Sequence, residues 1–186
     1  MELSEIYSNI EQMYNIYGEK FGLMNPRFIK NDNYQITWLN HISNEKFETY
    51  EEYYFWAYEN VQYSFSLQDD SLVQFFFEGQ KCGKRIPINK GSMAYLPNPY
   101  SYSEYFRFDI DLDNEKDYDH PSYHAHFGYR AKDVRFTLYK YPMPTEFLKL
   151  IQFLHYGISI ESYSKEKFWE NLSDRKIKFN HYLDFR

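Results

Sequence analysis

The sequence predicts a single α+β domain in which helices at both ends of the chain pack on a mostly antiparallel sheet of about five to seven strands. Apolar residues recur every three or four positions near the start, alternate with period two in the middle, and return to helical spacing near the end. The alternating segments follow one another without helices between them, which favours an antiparallel sheet over βαβ units. With 186 residues, no internal repeat and no Gly-, Ser- or Pro-rich linker, residues 1–186 are expected to form one domain.

The first third of the chain predicts two helices and one strand. An amphipathic stripe predicts a helix over 3–21, ended by Gly22 and Pro26. "NYQITWL" (33–39) is rich in β-forming residues and predicts the first strand. Thr49 and Glu52 have capping-box spacing, so a helix of about ten residues is expected to follow.

The middle of the chain predicts consecutive strands. Segments 61–67 and 71–77 flank "QDD" and predict a hairpin, and further strands are predicted over 91–100, 105–112 and 134–141. In 105–112 one face carries Phe106, Phe108, Ile110 and Leu112, and the other carries Arg107, Asp109 and Asp111. Thr145 is expected to cap the next helix, and a last helix is predicted from Ser164 within a helical tail of about 160–186.

Composition limits the classes of function. The 21 Tyr and 17 Phe predict a core built largely from rings. A net charge of −6 argues against general duplex-DNA binding but leaves room for a local basic groove that meets RNA or a nucleotide. Cys82 is the only cysteine, which favours a reducing, cytoplasmic location, and no stretch approaches the roughly 18 apolar residues of a membrane helix.

The segment "HPSYHAH" (120–126) holds the strongest candidates for chemistry. On a strand, His124 and His126 point to the same face about 7 Å apart. They could hold one divalent metal, the only cofactor this pattern indicates, with a carboxylate from Asp109, Asp111, Asp117 or Asp119 as third ligand. Without metal, the pair could act as general acid and base. The plainer interpretation is a chance pair of polar side chains at a strand edge.

Other polar residues complete the predicted site. His120 is a further catalytic candidate, although His120-Pro121 also fits a turn. Arg107, Arg130 and Arg135 are candidates for holding a phosphate or stabilising developing negative charge. Around the "QDD" corner, a binding role for Asp70, Ser71 and Gln74 competes with an Asx-type turn in which the side chains bond their own backbone. The sequence contains no phosphate-binding Gly-rich loop, nucleophile elbow or useful Cys-His pair.

Taken in order, "YSFSLQDDSLVQFFF", "MAYLPNP", "FRFDID", "HPSYHAHFG" and "PTEFLKLIQFLHY" resemble an uncharacterised bacterial family of unknown function over about residues 49–156. The resemblance implies a gene of mobile or defence regions and establishes no activity. By their positions in these motifs, the residues that the resemblance implies as matching the family are Asp70, Ser71, Gln74, Arg107, Asp109, His120, His124, His126 and Gly128. The segment after Gly128 fits only loosely, so Arg130 and Arg135 both stay open as the anion-binding residue.

Two classes of function follow. One is an intracellular effector of the toxin or phage-defence type, acting on RNA, a nucleotide or another phosphate ester through the His, Asp and Arg side chains. It predicts that these side chains converge on one cleft. The other is a non-catalytic immunity, adaptor or counter-defence protein that binds a protein of the same operon or of a phage through exposed aromatic residues. A plain structural domain is a third interpretation.

Overall fold

The computed structural model describes residues 1–17, 29–31, 34–37, 46–101, 104–113, 121–129 and 135–155. Within these residues the chain forms three helices and eight strands. The helices are α1 (Leu3–Tyr17), α2 (Tyr50–Glu59) and α3 (Pro144–His155). The strands are β1 (Ile29–Asn31), β2 (Gln35–Thr37), β3 (Phe65–Ser66), β4 (Leu72–Gly79), β5 (Ile88–Leu96), β6 (Phe106–Asp111), β7 (Tyr123–Phe127) and β8 (Phe136–Thr137).

Seven strands form an open antiparallel sheet in the order β1-β2-β4-β5-β6-β7-β8, and β3 pairs with β4 beside this path. Strands β4 to β8 are therefore neighbours both in the chain and in the sheet. Such a meander brings residues of successive segments face to face without a long crossover. The predicted α+β class with a mostly antiparallel sheet is confirmed.

One face of the sheet carries the main core, on which α1 and α3 pack. Its centre consists of three phenylalanines from β4 and β6 around Phe147 of α3. The ring of Phe147 lies 5.3 Å from Phe106, 5.5 Å from Phe108 and 6.1 Å from Phe75, measured between centroids. Tilted and edge-on contacts of this kind are the preferred geometry of aromatic pairs. The expectation of a ring-built core is confirmed.

On the other face of the sheet, α2 covers one end only. Tyr54 and Ala57 of the helix are buried against Leu72 of β4 and against Ala94 and Leu96 of β5. The helix begins as predicted, because Thr49 Oγ1 accepts from the Glu52 N–H while the Glu52 carboxylate accepts from the Thr49 N–H. The remainder of this face is free of helices among the described residues.

The start of α3 differs from the prediction. Thr145 is not the cap, because the helix already begins at Pro144, whose fixed φ and missing N–H suit the first helical position. The Met143 N–H donates to the Glu146 carboxylate at 2.8 Å. The Thr145 N–H donates to Oδ1 of Asn9, a residue of α1, at 2.9 Å. The cap of α3 is thus supplied partly by another helix, a contact that local sequence cannot indicate.

Several boundaries also differ from the predictions. Strand β1 was not predicted, β5 begins at Ile88 rather than at residue 91, and β8 is much shorter than 134–141. Leu112, predicted on the core face, is exposed because β6 ends one residue earlier. The predicted hairpin over 61–77 is confirmed by the pairing of β3 with β4.

Residues 18–21 of the first predicted helix and the whole tail from 160 lie outside the described residues. The described helices include none with the length and apolar character needed to cross a membrane.

Candidate active site

The candidate site lies on the second face of the sheet, on β6 and β7. Side chains alternate between faces along a strand, so the residues between the core phenylalanines of β6 point away from the core. Antiparallel pairing sets Asp109 opposite His124 and Arg107 opposite His126. The four side chains therefore meet on two adjacent strands.

One oxygen of Asp109 is the centre of this cluster. Arg107 donates to Oδ2 through Nε at 2.8 Å, and its Nη2 atom forms an ion pair with the same oxygen at 2.8 Å. The Nε2 atom of His126 lies 3.4 Å from the same oxygen, and the Nε2 atom of His124 lies 3.6 Å from it. Both imidazoles are almost fully buried, at 3% and 4% exposure. Arg107 thus forms a true hydrogen bond to Asp109, whereas the imidazoles stand slightly farther away.

The proton on His124 can be placed from its contacts. Its Nδ1 lies 2.8 Å from the carbonyl oxygen of Pro121, which can only accept, so Nδ1 carries the proton and donates. In the neutral imidazole, Nε2 is then the unprotonated atom, and it faces Asp109. For His126, the buried Nδ1 has no hydrogen-bond partner among the described residues.

The electrostatics keep Asp109 ionised. Burial opposes its ionisation, but the interaction with His126 and the charges of Arg107 and His124 outweigh burial and hold the pKa of Asp109 below its ordinary value. The pKa of Arg107 is raised: burial works against the charge, and Tyr105 and Asp109 overcome this effect. The pair is therefore a guanidinium and a carboxylate at every physiological pH.

The cluster forms part of a cleft of about 300 Å³ on the open half of this face. Two further cations line the cleft, Lys90 of β5 and Arg135, which precedes β8. The Nε atom of Arg135 is buried and has no acceptor within the described part of the chain. Lys90 was missed by the sequence analysis because the strand was predicted to begin one residue later. A strand beginning at Ile88 would have placed Lys90 on the same face as Ser92, opposite Asp111.

Gln74 does not line the cleft, but it hydrogen-bonds a tyrosine that lies near the cluster. Gln74 Oε1 accepts from the Tyr53 hydroxyl at 2.9 Å, and Gln74 Nε2 donates to the Gln62 carbonyl at 2.6 Å. Tyr53 lies near enough to Arg107 for the guanidinium charge to act on the pKa of its phenol. The predicted binding residue Gln74 is therefore a support for an aromatic neighbour of Arg107.

Asp70 and Ser71 do not line the cleft and serve the β3–β4 turn. Asp70 is exposed and has a φ of 62°, and its carbonyl accepts from the Tyr54 hydroxyl. The Ser71 N–H donates to the Asp69 carboxylate at 3.1 Å, an Asx-type turn. The buried Ser71 hydroxyl accepts from the Asn98 N–H at 3.0 Å. These contacts match the turn interpretation, with Asp69 in the role that had been considered for Asp70.

Two candidates, His120 and Arg130, lie outside the described residues, as do Asp117 and Asp119. Gly128, which ends β7, has a φ of 80°, a conformation that favours glycine, and its N–H donates to the Tyr105 carbonyl at 2.7 Å.

Chemically, the cluster can act in two ways. An unprotonated Nε2 beside an ionised carboxylate can accept a proton, and the resulting imidazolium is stabilised by Asp109. One nitrogen each of His124 and His126 and one oxygen of Asp109 also lie within 4.8 Å of one another, close enough to hold a metal ion.

Comparison with models of known families gives a match over residues 23–106. No curated protein matches the chain, and no solved structure matches it either. The matched segment, 23–106, contains the β3–β4 hairpin and the turn after β5 and ends immediately before Arg107. The predicted resemblance to a family of unknown function is confirmed for this segment: residues 23–106 match the model of DUF2290, an uncharacterized conserved protein family.

Proposed function

We propose that the protein is an enzyme that cleaves or transfers a phosphate ester, with RNA or a nucleotide as substrate, in the cleft above β6 and β7. One observation carries this proposal. Three cationic side chains, Lys90, Arg107 and Arg135, line the same cleft as the carboxylate and imidazoles of the Asp109 cluster. An anion-binding lining beside proton-transfer groups is what phosphate-ester chemistry requires.

Arginine is well suited to binding the phosphate group of such a substrate. Its planar fork of donors fits phosphate oxygens, and its charge persists at any working pH. Two nitrogens of Arg107 contact Asp109, and the Arg107 side chain is 40% exposed. Arg135 brings a donor without an acceptor among the described residues. Lys90, 3.7 Å from Asp113, is half-exposed at the mouth of the cleft. These three cations make the cleft locally positive, although the net charge of the whole chain is negative.

The groups that would transfer protons belong to the Asp109 cluster. In the metal-free protein, His124 Nε2 accepts the proton of the attacking hydroxyl or water, and Asp109 stabilises the imidazolium that forms. The bond from Nδ1 to the Pro121 carbonyl fixes the ring orientation and the tautomer. A second proton carrier for the leaving oxygen is available in His126, on the same strand face.

The test compares two arginines of contrasting position. Arg135→Met removes a cation of the cleft, whereas Arg85→Met removes an 81% exposed arginine that pairs with Glu2 elsewhere. A phosphodiester, a single-stranded RNA and a nucleoside monophosphate would be offered to wild type and both variants. We expect turnover of at least one substrate by wild type, a loss of about 10²–10³-fold in Arg135→Met, and no change in Arg85→Met. No turnover by wild type, or equal rates for the two variants, would contradict the proposal.

As cellular role we propose a toxin or phage-defence effector, supported by the family resemblance alone. Expression of wild type is expected to slow growth or restrict phage, and Asp109→Asn is expected to abolish the effect. Equal growth and phage titres for both would contradict this role.

A second candidate function is favoured by an exposed aromatic surface. Phe55, Tyr58 and Tyr100 are 39%, 45% and 84% exposed, and the rings of Phe55 and Tyr100 lie 6.5 Å apart. Exposed aromatic groups of this kind mark protein interfaces. If the chain is an immunity, adaptor or counter-defence protein, Tyr100→Ser with Phe55→Ser would abolish partner binding, while Arg135→Met would not.

A further inference from the structure

We propose that Asp109, His124 and His126 form a binding site for one divalent transition-metal ion, with Zn²⁺ as the reference ion. The proposal goes beyond the enzymatic function, since an ion can bind here whether or not a phosphate ester is cleaved. Two imidazoles and one carboxylate form a ligand set that zinc and iron(II) sites use, whereas Mg²⁺ and Ca²⁺ prefer oxygen ligands.

The two distances from the imidazoles to the carboxylate fit ligands around an ion. The Nε2 atoms of His126 and His124 lie 3.4 and 3.6 Å from Asp109 Oδ2. A direct N–H···O bond would bring them to about 2.7–3.2 Å. Ligand atoms placed tetrahedrally at about 2.0–2.1 Å from a zinc ion are about 3.4 Å apart. The imidazoles therefore stand off from the carboxylate by the spacing that an intervening ion needs.

The proton on His124 supports the same assignment. Because Nδ1–H donates to the Pro121 carbonyl, Nε2 presents its lone pair to an ionised carboxylate. Two electron-rich atoms that face each other repel unless a proton or a cation lies between them. A backbone carbonyl behind the ring is also the usual outer partner of a metal-bound histidine.

The burial of the three ligand side chains limits their solvation by water, the alternative to a bound ion. His124 and His126 are 3% and 4% exposed, and the Asp109 side chain is 14% exposed, so water cannot freely solvate the three ligand atoms. The cleft nevertheless opens onto them, which gives an ion an entry path. Arg107 already bonds Oδ2, and its positive charge is expected to moderate the affinity.

A bound ion would change the chemical roles of the two histidines. It would occupy the lone pairs of both Nε2 atoms, so the imidazoles would position the ion rather than carry protons. The ion would supply Lewis-acid chemistry to a phosphate held by Arg107 and Arg135.

The test is calorimetric titration of Zn²⁺, with Mg²⁺ for comparison, into full-length protein stripped by a chelator. Co²⁺ would be added separately as a spectroscopic probe. Three variants decide the outcome. Asp109→Asn and His124→Asn each remove one ligand atom, and the asparagine at 124 keeps an N–H donor near the Pro121 carbonyl. Asp113→Asn is the matched control, because it neutralises a half-exposed carboxylate that follows β6 and does not line the cleft.

We expect one Zn²⁺ per chain in wild type and in Asp113→Asn, and at least tenfold weaker binding in both ligand variants. Visible absorption of few-coordinate Co²⁺ is expected in wild type and in Asp113→Asn and is expected to be lost in the two ligand variants. Absence of saturable Zn²⁺ binding in wild type, or equal affinity in all variants, would overturn the proposal.

The two proposals fail separately. Zinc binding without turnover of any phosphate ester would leave the metal site standing and remove the enzymatic function. Turnover that a chelator leaves unchanged, in protein that binds no Zn²⁺, would remove the metal site and leave the enzymatic function standing.

Discussion

Arg107 places both Nε and Nη2 2.8 Å from a single oxygen of Asp109, so a guanidinium charge lies in direct contact with this carboxylate. The low pKa of Asp109 means that its ionisation stabilises the fold above its unfolded-state pKa, near 4, and that this contribution is lost as pH falls through the lower folded-state value.

Replacement of Arg107 by methionine should therefore have a pH-dependent effect on stability. Without the cation the pKa of Asp109 rises, so the stability advantage of wild type is expected to be largest near neutral pH and to shrink below about pH 4. Melting temperatures from pH 7 to pH 3, in chelator, would measure it. In the Asp109→Asn background the same replacement should show no such pH dependence, and a parallel dependence in both backgrounds would contradict the assignment.

The two histidines should respond oppositely to methionine, which keeps most of the buried volume. His126→Met removes a buried Nδ1 without a described partner but also the contact of its Nε2 with Asp109 at 3.4 Å. Because this contact is long, we expect the first effect to exceed the second, so that the metal-free protein gains up to about 1 kcal/mol, or roughly 2–4 °C in Tm. His124→Met removes the bond to Pro121 and should lower Tm by a similar amount. Thermal unfolding followed by circular dichroism decides this. A fall in Tm for His126→Met would show that its ring has a structural role.

The turn at Asp70 offers a test of its assignment to the hairpin. At a φ of 62°, Asp70→Ala should cost about 1 kcal/mol, because an alanine side chain is strained there, whereas Asp70→Gly should be neutral or stabilising. Urea denaturation of the two variants measures the difference. Equal stability of the alanine and glycine variants would mean that strain at this turn is not what selects the residue.

The cap that α1 supplies to α3 is testable in the same way. Asn9→Ala leaves the Thr145 N–H without its acceptor and should cost about 1 kcal/mol. Asn9→Asp keeps an acceptor and adds a negative charge near a helix N-terminus, so it should be tolerated. If Asn9→Ala unfolds at the wild-type urea concentration, the contact contributes nothing to stability.

The strand face of the site was predictable because it depends on a local rule. Alternation in "FRFDID" separates Phe106 and Phe108 from Arg107 and Asp109, and the spacing of His124 and His126 puts both on one face. Whether the acidic face of this strand lies beside the histidines depends on strand order and register, which cannot be read from a single sequence. The pairing of Asp109 with His124 supplies that information.

Predictions that needed tertiary contacts were less successful. The cap of α3 comes from a residue 136 positions away in the chain, and the partners of the Ser71 hydroxyl come from β5 and the turn that follows it. A polar residue in a turn has the same local pattern whether it binds a ligand or its own backbone. Lys90 was missed for a different reason: the predicted strand began at residue 91, three residues after the start of β5 at Ile88, and so did not include Lys90.

The alternation along β6 has a consequence for insertions and deletions. Loss or gain of a single residue inside the strand would turn Arg107 and Asp109 toward the phenylalanine core and Phe108 toward the cleft. Burial of the charges and exposure of the ring would both destabilise the fold, so such a change eliminates the protein rather than producing one with an altered site. Length variation is therefore expected between strands, and variation in this site is expected to arise by substitution alone.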